Sequence, residues 1–209
     1  MLNEPLAIAI AIIGAYLLGS VPSAYIAGRL RKGIDIREVG SRNMGAMNVF
    51  YKVGIVPGLL VLAVDIGKGA AAVALAHWLG VPLIVEFLAG ATAVLGHSFP
   101  VWLKFRGGRG GAPLIGVLIF LMPWGLPIGL GIFSVLLVLT RFPTLSYSVA
   151  LISFPFIAWL IYDNGNYVLY SSLMLLIPFI RYIPRIKEMR TKGGSWKHVA
   201  LRRNLKDRF

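Results

Sequence analysis

Long apolar runs recur along the whole chain, at 4–30, 55–79, 82–99, 112–122, 124–140, 144–162 and 166–183, and nearly every basic residue falls between them. A helix needs about 20 apolar residues to cross a hydrocarbon core of ~30 Å, and most of these runs approach or exceed that length. The pattern predicts an all-α, polytopic integral membrane protein of about seven transmembrane helices. Only 14% of the 209 residues are charged, where a soluble domain carries about 25%. The chain has no cysteine, which excludes disulfides, thiolate metal sites and a cysteine nucleophile. The opening MLNEPLAIAIAIIGAYLLGS carries Glu4 where a secretory signal would have basic residues, and its apolar run is too long for such a signal. It reads as a retained first span.

The fourth run is short, and fusing 112–140 into one kinked helix would leave six spans instead of seven. Sidedness decides between them. Lys and Arg fall at 29, 31, 32, 37, 42 and 52, then at 104, 106 and 109, at 141, and at ten positions from Arg181 onward, with Lys68 alone inside a span. Seven spans put every loop and tail base on one face, whereas six would move the C-terminal bases to the other. The positive-inside rule therefore predicts seven, with the N-terminus outside and the C-terminus cytoplasmic. MPWGLP at 122–127 becomes a tight turn, and the short helix before it needs shielding by protein. The expected organisation is one membrane domain over 1–190 and a basic cytoplasmic tail over 191–209, able to lie on anionic lipid or to stay in solvent. The net charge of +13 is thus a matter of membrane orientation rather than of nucleic-acid binding.

Topology accounts for the sign of the loops but not for their glycines. In GSVPSAYIAGRLRKGIDIREVGSRNMGAMNVF (19–50), Arg37, Ser41, Asn43, Gly45 and Asn48 form a short, glycine-interrupted basic loop. Such segments turn successive N–H groups toward one concavity and bind anions. Ser20, Ser23 and Tyr25 precede it, and bonding back to the helix around Pro22 would occupy them without any function. In GHSFPVWLKFRGGRGGAP (96–113), Gly107, Gly108, Gly110 and Gly111 bracket Arg109 just before a helix start, where free N–H donors and the helix dipole suit phosphate. The stretch lacks both the GK[ST] ending of a nucleotide P-loop and the G-x-G-x-x-G spacing. His97 sits one turn earlier and suits ligand contact or proton transfer. His77, His97 and His198 show no metal-binding spacing, so no metal is expected. Asp65 and Lys68, three residues apart inside a span, share a helix face and can pair; a structural and a functional role are equally open.

Three stretches, GSVPSAYIAGRL with GIDIREVGSRNMGAMNV, DIGKG, and GHSFPVWLKFRGGRG, resemble in order and spacing the bacterial acyl-phosphate:glycerol-3-phosphate acyltransferase family, PlsY. The resemblance covers most of the chain. It implies a seven-span inner-membrane enzyme that moves a fatty acyl group from acyl phosphate to the 1-hydroxyl of sn-glycerol 3-phosphate, giving lysophosphatidic acid and phosphate. Carried over, it implies catalytic roles for Ser20, Asn48 and His97. It implies substrate or phosphate binding by Arg37, Ser41, Asn43, Gly45, Lys104, Gly107, Gly108, Arg109 and Gly110. Either His97 or a substrate phosphate oxygen would take the hydroxyl proton. Met47 stands where the family has Thr, Arg109 where it has Lys, Gly111 and Pro113 where it has Val and Thr, and Arg185 near an Asn position.

An acyl phosphate is already activated, so the chemistry needs no cofactor and no metal, only two anions held together. The implied partners are the two phosphorylated substrates and membrane lipid, with no nucleic acid; the oligomeric state is open and a monomer would suffice. The alternatives are a divergent homologue using another phosphorylated acceptor, or an organophosphate or anion transporter. A transporter would often show an internal repeat, and none is evident.

Overall fold

A computed structural model describes residues 3–193. Among them the order is α1 (Glu4–Ser20), α2 (Ser23–Lys32), α3 (Ala46–Lys52), α4 (Ile55–Trp78), α5 (Leu83–Ser98), a 3-10 turn (Val101–Leu103), α6 (Gly111–Leu121), α7 (Gly125–Thr140), α8 (Pro143–Ile152), α9 (Phe154–Tyr162) and α10 (Gly165–Gly193). Five segments, 4–32, 55–78, 83–103, 143–162 and 165–188, are long and apolar enough to cross a membrane, and α6 and α7 are shorter apolar helices. They occupy the seven positions read from the sequence. Outward-facing side chains are apolar, with Leu30, Trp78, Val138 and Leu160 more than two-thirds exposed, as expected of a surface solvated by lipid.

The first expected span is broken. Pro22 has no N–H, and α1 ends at Ser20 while α2 begins at Ser23, leaving Val21 and Pro22 as a hinge. A second interruption at Ser153, just before Pro155, divides α8 from α9. The anticipated domain boundary at 190 falls inside α10, which continues to Gly193; most of the expected tail, from 194 on, lies outside the described residues.

Small residues set the packing of α1, α4 and α5. Ala7, Ala11 and Ala15 line one face of α1 at helical spacing and meet Ala72, Ala76, Ala89 and Ala93, so the backbones approach closely without lost side-chain entropy. Gly19 lies directly on the backbone of Ala93. The short α6, spanning about 16 Å at 1.5 Å per residue, is shielded as its length requires. Leu114, Val117, Leu118 and Leu121 are buried against Val94, Leu151, Phe154 and Met174. A third cluster, Ala24, Ile36, Met44, Val49, Val61 and Leu103, roots the segment between α2 and α3 onto α4 and the 3-10 turn. The two basic loops are thus anchored by buried apolar side chains at the same end of the bundle.

Candidate active site

The loop joining α2 to α3 is built around two polar side chains. Asp35 accepts from the backbone N–H and Nε of Arg37, both at 3.0 Å, and from Nη2 at 2.7 Å. This hydrogen bonding holds the Asp35 carboxyl below the usual carboxylate range against the opposing effect of burial, and raises the Arg37 guanidinium. Arg37 also donates through Nη1 to the carbonyl of Leu103 at 3.3 Å and lies over the Tyr25 ring at 5.2 Å. Asn48 is fully buried. Its amide nitrogen lies 2.9–3.1 Å from the carbonyls of Ile36, Val39 and Asn43, and its oxygen accepts the N–H of Ser41 at 3.1 Å. Asn48 therefore closes the loop on its own backbone, with both amide N–H groups turned to carbonyls and its oxygen accepting one N–H. Ser41 and Asn43 are part-exposed on the loop that Asn48 closes, and Gly45 caps α3 in extended conformation beside the Asn43 amide.

The second loop folds back onto the end of α5. Lys104 and Phe105 adopt left-handed conformations, with φ of 53° and 60°, each at a cost of about 1–2 kcal/mol for an L-residue. Gly108 donates its N–H to the carbonyl of His97 at 3.0 Å. A Cβ on Gly108 would collide with His97 Nε2 and the carbonyl of Met44, which puts the two loops in contact. Gly107 presses on the carbonyls of His97 and Ser98, and Gly110, at φ 85°, turns the chain into α6. From α10, Arg181 donates to the carbonyls of Gly108, Gly107 and Ser98 at 3.1–3.4 Å and stacks on Phe99 at 4.7 Å. The sequence offered no signal for Arg181 beyond one more base at the end of an apolar run.

Behind the glycines lies a buried polar cluster drawn from α1, α4 and α5. Ser20, Asp65, Lys68, His97 and Ser98 are all at most 6% exposed. Lys68 Nζ is 2.7 Å from Asp65 Oδ1 and donates to the carbonyl of Val21 in the α1–α2 hinge at 3.0 Å. The Ser23 hydroxyl donates to the same Oδ1 at 2.6 Å, and His97 Nδ1 faces it at 3.7 Å, just beyond hydrogen-bond reach. Neither serine bonds back to its own helix. Ser23 crosses to α4, while Ser20 Oγ, pressed against Gly96, has no partner among the described residues. Asp65 Oδ2, His97 Nδ1 and Ser98 Oγ are likewise buried without hydrogen bonds among the described residues.

The bases divide into two groups. Arg37 and Lys104 line a cavity of about 350 Å³ together with Tyr25, Trp102, Leu103 and Arg106. Arg109 instead packs toward α10, 4.7 Å over the Tyr182 ring, where burial lowers the pKa of its guanidinium. Lys104 and Arg109, read from the sequence as a pair, thus belong to opposite flanks of the glycine loop. Neither has a carboxylate partner among the described residues, whereas Arg106 pairs with Glu38 at 3.5 Å. His, Asp and Glu gather into no group of three or more among those residues.

A multi-pass helical membrane protein, with paired basic loops closing one end of the bundle over a buried histidine, is the class this architecture defines. Residues 9–192 match the glycerol-3-phosphate acyltransferase family, and the chain belongs to it. It is 54% identical over 210 residues, covering all of both chains, to "Glycerol-3-phosphate acyltransferase 2" of Dehalococcoides mccartyi. Identity to the glycerol-3-phosphate acyltransferase of Bacillus subtilis is 40% over 185 residues, covering 88% of this chain and 95% of that one. The fold superposes with a TM-score of 0.80 and 29% identity on the crystal structure of PlsY (YgiH), an integral membrane glycerol 3-phosphate acyltransferase, in its glycerol 3-phosphate form. That match covers 88% of this chain and 92% of that one. The lysophosphatidic acid form of PlsY (YgiH) gives a TM-score of 0.78 at 28% identity.

Proposed function

We propose that the chain transfers a fatty acyl group from acyl phosphate to the 1-hydroxyl of sn-glycerol 3-phosphate, releasing lysophosphatidic acid and phosphate. The observation that carries this reading is the junction of the two loops. Arg37 reaches Leu103, Arg106 reaches Glu38, and Gly108 touches Met44, so two cationic, N–H-rich segments share one chamber at the mouth of the bundle.

Arg37 and Lys104 hold one phosphate in their cavity, with Tyr25 and Trp102 as its walls. Arg109 and the first-turn N–H groups of α6, entered through Gly110, hold the other. Ser41, Asn43 and Gly45 border the first site on the loop that Asn48 locks, and Ser20 offers its free hydroxyl from behind. The acceptor oxygen attacks the acyl carbon while the bond from that carbon to the phosphate oxygen breaks, and phosphate departs with the electron pair. The hydroxyl proton passes either to a substrate phosphate oxygen or to His97 Nε2, and ends on the released phosphate. Losing one donor to the developing negative charge costs about 10²–10³ in rate. The protein lies in the cytoplasmic (inner) membrane with its N-terminus outside, its C-terminus in the cytoplasm and this chamber facing the cytoplasm, because that orientation gathers the loop bases on one side.

The test is turnover by purified protein in a lipidic phase, given palmitoyl phosphate and glycerol 3-phosphate. Lysophosphatidic acid and phosphate in equal amounts are expected. Absence of product above a protein-free control, across several acyl lengths, would overturn the reading.

A further inference from the structure

The first membrane segment breaks at Val21 and Pro22, and both sides of the break are tied to one buried pair on α4. Before the proline, Lys68 Nζ donates to the carbonyl of Val21 at 3.0 Å. Just after it, the Ser23 hydroxyl donates to Asp65 Oδ1 at 2.6 Å, and Lys68 Nζ lies 2.7 Å from the same oxygen. Val21 and Pro22 have ψ of 118° and 60°, far from helical values. Across the break the Ser23 N–H donates to the Val21 carbonyl at 3.1 Å, a tight turn rather than a helical bond. The angle between α1 and α2 is thus held from outside the backbone. A buried ion pair adds little stability over apolar residues of similar volume, so its bonds to the two sides of the hinge point to another task.

We infer that the Asp65–Lys68 pair is a latch that sets the angle of α2 and so positions Arg37 in the cavity it shares with Lys104. Rigid links run from the hinge to Arg37. α2 closes on Gly33, at φ 66°, whose N–H donates to the Arg29 carbonyl at 3.0 Å, while the Ile34 N–H reaches back to the Gly28 carbonyl at 3.3 Å. Arg29 Nη1 donates to the Gly33 carbonyl at 3.1 Å, and its guanidinium lies 3.9 Å from Asp35, the carboxylate that clamps Arg37. Tyr25, two residues beyond Ser23, lies under the Arg37 guanidinium and lines the cavity. The start of the loop therefore follows α2 as one body. Ala24, Ile36 and Val61 press that body against α4, but apolar contact is non-directional and does not fix its angle. Turning α2 at the break carries Tyr25 and Arg37 away from Lys104, which belongs to the chain after α5. Asp65, Lys68 and Ser23 are positioning residues that act through Arg37.

The inference rests on the acyltransferase reading for its kinetic test and stands apart from it in a structural one. Ser23→Ala removes the tie on the α2 side, and Asp65→Leu/Lys68→Met removes the latch while keeping an apolar core. In either variant KM for at least one of glycerol 3-phosphate and palmitoyl phosphate rises about tenfold while kcat stays within about threefold. Ser23→Thr, which keeps the hydroxyl, retains the wild-type KM. A merely structural pair gives a lower unfolding temperature with wild-type KM values in both variants, and that result overturns the inference. Leu30→Cys on α2 and Leu139→Cys on α7, both exposed, carry spin labels in this otherwise cysteine-free chain and read the angle of α2 without turnover. The distance distribution between them shifts or broadens when Asp65→Leu/Lys68→Met is added; an unchanged distribution overturns the latch whatever the kinetics. A shifted distribution in a protein without turnover upholds the latch and sinks only the acyltransferase reading.

Discussion

The N–H of Gly108 donates to the carbonyl of His97 at 3.0 Å, and the same glycine has the imidazole of that histidine where its side chain would be. The glycine-rich loop and the buried histidine behind it are therefore one structural unit. Gly108→Ala forces the loop off both His97 and Met44. A displacement of about 1 Å at this point lowers kcat roughly 10²-fold, while thermal stability shifts by only a few degrees, because the loop can lift without opening the bundle. Steady-state kinetics beside a thermal unfolding scan in detergent checks the prediction. A fully active alanine variant would show that the contact does not matter to turnover.

Asn48 gives a different signature. Its amide satisfies one N–H and three carbonyls of the loop, and leaving buried backbone groups unpaired costs about 1–3 kcal/mol each. Asn48→Asp replaces the donor that faces three carbonyls with a second acceptor, so it should be worse than Asn48→Ala despite its closer shape. The expected outcome is a KM for glycerol 3-phosphate raised more than tenfold and faster amide exchange confined to 34–48. Exchange spread evenly over the bundle would contradict a local role.

How far these features were legible in the sequence follows from how local each signal is. Apolar runs, the Pro22 and MPWGLP interruptions and the two glycine-rich basic loops are written in consecutive residues, and the helices lie where those signals put them. The Asp65–Lys68 pair was legible for the same reason, since three residues along a helix return to one face. The inward turn of Asn48 was not, because a glycine-flanked asparagine reads equally as a ligand or as a loop lock until Ile36 and Val39 are seen to need a donor. Arg181 was invisible as a site residue, since its carbonyl partners stand more than 70 positions earlier in the chain. The division of Lys104 from Arg109 likewise follows from the left-handed turn at Lys104 and Phe105 and from Tyr182 on α10, neither of which the spacing of bases encodes.

Arg181 is predicted to matter through geometry more than charge. Its fork spans three carbonyls that a lysine ammonium, a single point charge, cannot reach together. Arg181→Lys should lower kcat at least tenfold with the fold retained, and Arg181→Met should lower it no less. Wild-type kcat in the lysine variant would show that the charge alone is needed.

The Asp35–Arg37 clamp sets an acid limit. The Asp35 carboxyl is lowered from an ordinary 3.8 by the Arg37 hydrogen bond, so its contribution is fully present above that value and is lost as pH falls through the lowered native one. Between pH 5 and 8 the clamp adds no pH dependence of its own. Amide protection in 34–48 should then decline only below about pH 4, and in Asp35→Asn it should already be weak at pH 7 and insensitive to acid. Loss of protection in the wild type near pH 6 would assign the transition to another group.

The absence of cysteine from the chain makes its sidedness directly measurable. Arg42 in the first loop and Arg106 in the second are both exposed, as is Asp163 between α9 and α10. Single substitutions Arg42→Cys, Arg106→Cys and Asp163→Cys report by their reactivity to a membrane-impermeant maleimide in spheroplasts. If the two loops share one chamber in the cytoplasm, the first two are protected until the membrane is permeabilised and the third reacts at once. Labelling of Arg42→Cys and Arg106→Cys from opposite sides would remove the common chamber, and with it any route for one phosphorylated substrate to reach the other. Labelling of both from outside would keep the chamber and reverse the orientation argued from the basic loops.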